Sequence, residues 1–380
     1  MRAILRVTLR FLREADILLL VLSLIAAVIG ILLISSISLA GRKAVNVQIG
    51  ALAIGVVLFV LFSYVDIDII ADKTGLLLVF SALFIFTLQF WGYGMNEVGN
   101  KAWLRFFDIG IQPAEVVKVT FIIIIARMIV NYKERKTLNS FMSLIQILAV
   151  FALLFGLIII VSADLGSALV YLFILIVMLF IGGVKLRWFV LGGAIVAALS
   201  PLIWFNYLSE KYRIRIMAPL FPDLVDPEEL DSTMWQARQS VAAISSGGYF
   251  GKGLGNGRMT QRGLIPAQHT DFIFSAVGEE LGFLGCIVIV LLLSAIIIRC
   301  VYIGVKSNNS LGMLVCTGIA SMLIVQTIEN LGMCLAILPV VGITLPFLCY
   351  GGSSLVTCFA AMGIVSGIKM RPKTARFRTM

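Results

Sequence analysis

Apolar runs of about twenty residues recur from one end of this chain to the other, and nothing constrains its fold more. About 20 helical residues are needed to cross a hydrocarbon core, whereas a barrel strand takes about 9–11. Such runs lie near 17–37, 47–65, 74–91, 115–130, 141–161, 167–182, 188–207, 272–298, 311–336 and 353–368. They predict an all-α polytopic membrane protein of about ten transmembrane helices, read as a single integral membrane domain over 1–380. At about 20 residues each, ten spans take up about half the chain and leave no room for a large soluble domain. Composition agrees, with 60% of the residues hydrophobic and 13% charged, about half the charged share of a soluble domain. A soluble enzyme, a disordered regulator and a secreted disulfide scaffold are thereby excluded.

The net charge of +10 could point to nucleic acid, but its placement points to topology. With the N-terminus inside, the inner segments hold 18 of the 30 Lys and Arg residues, the short outer segments hold four, and seven sit in one long outer loop. Long loops count little in the positive-inside rule, so both termini are expected to be cytoplasmic, with the long loop between spans 7 and 8. The basic tail at 369–380 fits contact with anionic membrane lipid, and no nucleic-acid partner is expected. At the other end, Arg2, Arg6, Arg10 and Arg13 repeat at helical spacing, which predicts a basic interfacial helix over 1–16. The apolar stretch after it is too long for a secretory signal core, so no cleavage is expected.

Cysteine and histidine usage narrow the chemistry. All six Cys (286, 300, 316, 334, 349 and 358) lie in or beside apolar runs and read as small buried hydrophobes. His269 is the one histidine, which excludes multi-histidine zinc, haem or copper sites. No protein-held metal site is expected. Catalysis must rest on carboxylates, Lys, Arg and backbone dipoles.

Two outer segments hold most of the polar residues. The first carries Gly99-Asn100-Lys101-Ala102-Trp103 and then Gln112-Pro113-Ala114-Glu115. The second spans 209–270, where Trp235, Tyr249, Phe250, Leu254 and Ile265 supply apolar anchors that a disordered segment lacks. Within it, Gly247 to Gly257 contains six glycines in eleven residues. Their backbone N–H groups could cradle a pyrophosphate with Lys252 and Arg258, or form a tight turn folding back onto the bundle. There follow Pro266-Ala267-Gln268-His269-Thr270-Asp271-Phe272 and Gly278-Glu279-Glu280-Leu281-Gly282. Asp271 falls in the first turn of a span, where it could cap the helix or serve chemistry. Glu279 and Glu280, two turns deeper, need Lys, Arg or backbone N–H partners.

Further ionisable residues sit at membrane depth. Glu115 and Lys118 stand three apart on one helix face and can meet, and Arg127 reads as snorkelling to the cytoplasmic interface. Asp164 opens Asp164-Leu165-Gly166-Ser167, and Glu329 precedes Asn330 inside the ninth span. Each could be a satisfied core pair. Together with the loop carboxylates they suggest a polar cavity that opens outward.

In their order along the chain, these motifs resemble the RodA/FtsW/SpoVE family of shape, elongation, division and sporulation proteins. The matching elements are Gly99…Trp103, Gln112-Pro113-Ala114-Glu115-x-x-Lys118, Asp164-Leu165-Gly166-Ser167, the Gly247–Gly257 loop, His269-Thr270-Asp271-Phe272-Ile273-Phe274, Gly278-Glu279-Glu280-Leu281-Gly282 and Leu345-Pro346-Phe347 through Gly351-Gly352-Ser353-Ser354. Each is weak alone, but the ordered set is specific. The resemblance implies a multi-pass protein of the bacterial cytoplasmic membrane that polymerises peptidoglycan glycan strands from lipid II. It also implies a class B penicillin-binding protein as crosslinking partner. By similarity Asp271 is the essential carboxylate, while Trp103, Glu115, Lys118 and Asp164 occupy positions tied to activity or substrate binding. Lys252, Arg258 and His269 join the substrate-binding candidates, and Gln112, Glu279, Glu280 and Glu329 a supporting polar network. Ala102 stands where the family often has Arg, Ala267 where it commonly has Glu, and Cys349 where Ser is common. Ala267 leaves Asp271 as the sole acidic candidate in its run.

These residue types suit the reaction. A carboxylate at the membrane surface can take the proton of an attacking sugar hydroxyl. The departing prenyl pyrophosphate gains charge that Lys, Arg or a divalent cation such as Mg or Mn would stabilise. One displacement with one base predicts inversion at the anomeric carbon. Two other readings share the same ten-span frame: a lipid II flippase or transporter, and a non-catalytic scaffold for a transpeptidase.

Overall fold

The computed structural model describes residues 11–371 apart from 12, 38–40, 95–100, 107–108 and 207. Most of the expected N-terminal basic helix, Gly99 and Asn100, and the tail beyond Arg371 therefore lie outside the described residues. The helices are α1 (Ile17–Ser36), α2 (Gly41–Tyr64), α3 (Thr74–Trp91), α4 (Pro113–Glu134), α5 (Phe141–Ser162), α6 (Leu165–Gly182), α7 (Leu186–Asn206), α8 (Glu210–Leu220), α9 (Pro227–Ser246), α10 (Ile273–Lys306), α11 (Ser310–Cys334) and α12 (Gly352–Met370). Among the described residues nine are long and apolar enough to cross a membrane, namely all of these but α4, α8 and α9. The α4 helix is 22 residues long, but Glu115, Lys118 and Arg127 interrupt its apolar run. It is nonetheless buried for most of its length.

Small residues let the helices meet closely, as they must where lipid is as apolar as the side chains. The α2 and α12 helices pack along one another, and a Cβ added at Gly363 would lie 2.5 Å from the Phe59 carbonyl oxygen. Gln48 on α2 donates from Nε2 to the Cys349 carbonyl at 3.1 Å and accepts from the Gly351 N–H at 3.2 Å. It thereby anchors the strap of residues 339–351 that links α11 to α12. None of the apolar stretch of α7 is buried, and the helix meets its neighbours through Trp188 against Phe141 and Phe189 against Phe180 near its start.

At the end of the bundle away from that strap, Asp16 caps α1 by accepting from the Leu19 N–H at 2.8 Å. Its carboxylate also accepts from Arg299 at the end of α10 (2.7 Å) and pairs with Lys369 at the end of α12 (3.0 Å). Arg127, expected to snorkel, pairs with Asp72, and Arg371 pairs with Asp66.

The 209–270 segment departs from expectation in two ways. It holds two helices of eleven and twenty residues, α8 and α9, the second begun by Asp226 accepting from the Glu228 N–H with Pro227 in the first turn, and a single further turn of α-helix at Arg258–Gln261. Of its five expected apolar anchors only Ile265 is buried, while Trp235, Tyr249, Phe250 and Leu254 are exposed. A three-stranded antiparallel meander was also not expected. Its strands are β1 (Gly92–Tyr93), β2 (Trp103–Phe106) and β3 (Ile109–Ile111), with Tyr93 opposite Trp103 and Leu104 opposite Ile111.

The largest difference lies in α10. Thirty-four helical residues would run about 51 Å, far beyond a hydrocarbon core of about 30 Å. The helix is broken at Gly282, whose φ of 68° and ψ of −167° suit only glycine. The first half, Ile273 to Leu281, is almost wholly buried, and the second alternates buried and lipid-facing positions.

Candidate functional site

The broken helix organises one half of the polar residues. In an unbroken helix Phe283 and Leu284 would donate to the carbonyls of Glu279 and Glu280. Instead the glycine-rich loop takes both rungs. The N–H groups of Lys252 and Gly253 donate to the Glu279 and Glu280 carbonyls, each at 3.0 Å, and the Gly248 and Tyr249 carbonyls accept from Phe283 (2.9 Å) and Leu284 (3.2 Å). A Cβ on Gly251 would lie 2.2 Å from the Glu280 carbonyl oxygen, so the close approach needs glycine there. The loop is thus a backbone seam, with its N–H groups at Lys252 and Gly253 spent on the helix rather than offered to an anion.

The Glu279 carboxylate is fully buried and accepts from Lys252 Nζ (2.7 Å), the Met259 N–H (3.0 Å), and the Thr260 N–H (2.8 Å) and hydroxyl (2.7 Å). Glu280 accepts from Ser36 Oγ at 2.6 Å and Gln261 Nε2 at 3.1 Å. Both acids therefore hold the outer loop in place, as the supporting role expected of them requires. Lys252, expected to meet substrate, is committed to Glu279 and to Ser246 Oγ at 2.7 Å. Arg258 is exposed on this seam.

The other half of the polar residues converges on the end of α10. Gln268 Nε2 donates to the Thr260 carbonyl at 2.9 Å, which ties the seam to the turn ahead of α10. In that turn Ala267 has a φ of 47°. Its carbonyl accepts from the N–H groups of Thr270 (3.1 Å), Asp271 (3.0 Å) and Phe272 (3.2 Å). The turn leaves Asp271 partly buried at the mouth of the half-helix. Its carboxylate has no hydrogen bond or ion pair among the described residues. Gly342 of the strap, with a φ of 74°, faces it: a Cβ there would lie 3.5 Å from Asp271 Oδ2. His269, on the same turn, lies against the Tyr350 ring at 5.7 Å, and burial holds its imidazole below the ordinary 6.5.

Across the strap stands Asp164, in the bend between α5 and α6. It accepts from the Ser167 N–H (2.9 Å), Ser167 Oγ (2.7 Å) and Gln112 Nε2 (2.9 Å). A Cβ on Gly166 would lie 2.6 Å from the Val341 carbonyl oxygen, so the bend and the strap are in contact. Burial raises Asp164 above the usual carboxylate range, against the lowering effect of Ser167 and the Lys118 charge. Lys118 and Glu115 form a buried ion pair at 2.6 Å on α4. Next to Glu115, the Ala114 carbonyl accepts from the hydroxyl of buried Tyr171 at 2.7 Å. Burial, and behind it the Asp164 charge, lift Asp271 to about 6. The structure therefore brings Asp271, Asp164, Gln112, Glu115 and Lys118 into one electrostatic neighbourhood, with His269 at its edge.

Trp103 sits on β2, its ring packed over Gly110. The sheet is fastened to the same bend by the Lys101 N–H donating to the Ser162 carbonyl at 3.0 Å. Glu329 is partly buried on α11, and no contact joins it to Asp271. Its neighbour Asn330, which sequence reasoning passed over, is the residue that touches the site. Asn330 Nδ2 donates to the Asp271 and Ile343 carbonyls, each at 2.7 Å. The only signal for it was a polar side chain in an apolar span. Among the described residues no group of three or more His, Cys, Asp or Glu side chains could hold a metal ion.

An apolar cavity of about 480 Å³ opens beside the same half-helix, with Phe274, Phe283, Cys286, Leu335 and Tyr249 in its wall.

The chain is similar to known proteins in sequence and in fold. The chain is 34% identical over 332 residues to the probable peptidoglycan glycosyltransferase FtsW of Bacillus subtilis (strain 168), covering 85% of this chain and 80% of the relative. It is 32% identical over 369 residues to the stage V sporulation protein E of the same organism, covering 93% and 96%. A chain from the structure described as "Structural coordination of polymerization and crosslinking by a peptidoglycan synthase complex" superposes with a TM-score of 0.77 at 26% identity, covering 93% of this chain and 97% of that one. The family model for the FtsW, RodA and SpoVE proteins, described as "Cell cycle protein", matches residues 15–374. The chain belongs to that family, as a multi-pass protein of the bacterial inner membrane.

Proposed function

We propose that this protein polymerises the glycan strands of peptidoglycan from lipid II, with Asp271 as general base. The observation that carries the reading is an unpartnered Asp271 carboxylate, held at the mouth of a buried half-helix between the strap and Asp164. In this reading α4 is a tenth crossing, both termini are cytoplasmic, and the Asp271 end of the bundle faces outward.

The sugar hydroxyl of one lipid-linked disaccharide attacks the anomeric carbon of another. As the new carbon–oxygen bond forms, the hydroxyl proton passes to Asp271 and the bond to the prenyl pyrophosphate breaks. Attack opposite to the leaving group inverts that carbon and gives a β linkage from an α-linked donor. A carboxylate near 6 is well matched to accepting a proton at neutral pH and returning it to water. Lys118 supplies positive charge to the neighbourhood while paired with Glu115. Among the described residues no group of His, Cys, Asp or Glu side chains forms a metal site of its own. A class B penicillin-binding protein as crosslinking partner accords with the peptidoglycan synthase complex that the fold resembles.

The test is purified protein with lipid II in liposomes, scored for glycan strands. Wild-type protein is expected to give polymer and Asp271→Ala none. Normal polymer from Asp271→Ala would remove Asp271 as the base, and lipid II translocated without polymer would favour a flippase.

A further inference from the structure

Asp271 has no side-chain bond to hold it, yet a general base must sit within about 3 Å of the proton it takes. Something else must therefore set its place, and the backbone shows what does. The turn that carries Asp271 is closed by the Ala267 carbonyl, and the strap in front of it is closed by Gln48 at its far end. The Tyr350 N–H donates to the His269 carbonyl at 2.8 Å, and among the described residues one side chain hydrogen-bonds to both the turn and the strap. Asn330 is fully buried on α11, and its amide nitrogen donates to the carbonyl of Asp271 itself and to that of Ile343, next to Gly342. Both bonds are 2.7 Å, and together they use both amide hydrogens.

We infer that Asn330 is a positioning residue for the polymerisation reaction, which clamps the Asp271 turn to the strap and so fixes where the Asp271 carboxylate stands against Gly342. The inference rests on the reading of Asp271 as base. No other residue type fits as well. A hydroxyl has one hydrogen, a carboxylate has none to give and would repel both carbonyls, and Gln is one carbon too long for the same two distances.

Two consequences separate a clamp from a side chain that merely fills space. Loosening the turn should lower kcat and leave KM nearly unchanged, because a misplaced base weakens the proton transfer of the reacting complex more than the binding that precedes it. It should also let water reach Asp271, so that its titration falls from about 6 toward the ordinary value of about 4. The charged or titratable groups facing Asp271 are Asp164 from the α5–α6 bend, Cys334 on α11 and Cys349 on the strap. Ordinary thiols titrate near 8.5, above this range. Burial holds His269 on the same turn below its ordinary 6.5, so the readout must be specific to the carboxyl.

The experiment uses full-length protein in liposomes with lipid II, wild type against Asn330→Ala, with kcat and KM measured across pH and the Asp271 carboxyl titrated by carbon-13 NMR. We expect kcat to fall at least tenfold at neutral pH, KM to stay within twofold, and the carboxyl midpoint to drop by a unit or more. If Asn330→Ala does not yield folded protein, Asn330→Ser, which keeps one donor, carries the same readouts at intermediate size. Unchanged kcat overturns the inference, as does a fall in kcat with the carboxyl midpoint still at about 6. If the wild type makes no polymer, the function proposed above is lost, and the carboxyl titration alone still decides whether Asn330 sets the surroundings of Asp271.

Discussion

The negative charge of Asp164 reaches Asp271 across the strap and, after burial, is the second reason the Asp271 carboxyl stands at about 6. Two acids that face one another in a partly dry site push their titrations apart, and here the one with hydrogen bonds from Ser167 and Gln112 keeps its charge more easily.

A base works in its deprotonated form, so polymerisation should rise as pH climbs through about 6 and level off above it. Asp271→Asn should reduce the rate by about 10²–10⁴-fold and abolish that limb. Asp164→Asn removes the repelling charge and should move the limb to lower pH. The measurement is initial rate against pH in liposomes. A limb that Asp164→Asn leaves in place would mean that the two carboxylates do not interact.

The Glu115–Lys118 pair is buried, with only 7% of the Glu115 side chain and 1% of the Lys118 side chain exposed. Removing one partner leaves an uncompensated charge, which costs about 3–5 kcal/mol. Glu115→Gln and Lys118→Met should each lower the melting temperature in detergent, and the double variant should recover most of the loss. Activity should not recover with it if the Lys118 charge serves the pyrophosphate. A double variant that loses the sum of the two single losses would show that the pair is not coupled.

Gly282 is the residue least able to change. An L side chain at its backbone angles costs about 1–3 kcal/mol, and a Cβ there would lie 2.3 Å from the Gly251 nitrogen. Gly282→Ala should melt earlier than Gly156→Ala, since Gly156 has no positive φ and nothing lies within 4 Å of a Cβ there. Thermal unfolding of the two variants side by side tests the seam.

Burial works to raise Asp16, but the Arg299 and Lys369 charges and the Leu19 N–H outweigh it and hold the carboxyl below 3.8. Its contribution to stability is therefore complete above about pH 4 and is lost as pH falls through the lowered folded value. Asp16→Asn should lower the melting temperature at neutral pH, and the gap to wild type should close in acid. A gap that persists at low pH would assign the effect to the cap geometry rather than to charge.

The spans were legible because apolar length is a direct signal, and α1, α2, α6 and α11 fall close to where hydropathy puts them. Pro113 and the Gln112–Glu115 run marked the start of α4 despite its charges. The break in α10 was not legible: Gly278 and Gly282 flank two glutamates, and nothing in the pattern says that the chain departs from helix at the second glycine. Lys252 shows the same limit from the other side. A lysine among glycines looks like an anion site until the partner, 27 positions away at Glu279, is seen. Asp226-Pro227 with Glu228 and Glu229 was a readable helix start that hydropathy, tuned to apolar runs, passed over. Asn330 could not be ranked from sequence, because its worth comes from two carbonyls that only the fold brings together.

The interception of two helical rungs by the glycine-rich loop has a mechanical meaning. The short segment that begins after Asp271 is joined sideways to the outer loop by two backbone links, at Glu279 and Glu280, and the shaft beyond Gly282 by two more, at Phe283 and Leu284. A push or pull on that loop is thus delivered to both halves of the broken helix at once, across the glycine hinge between them.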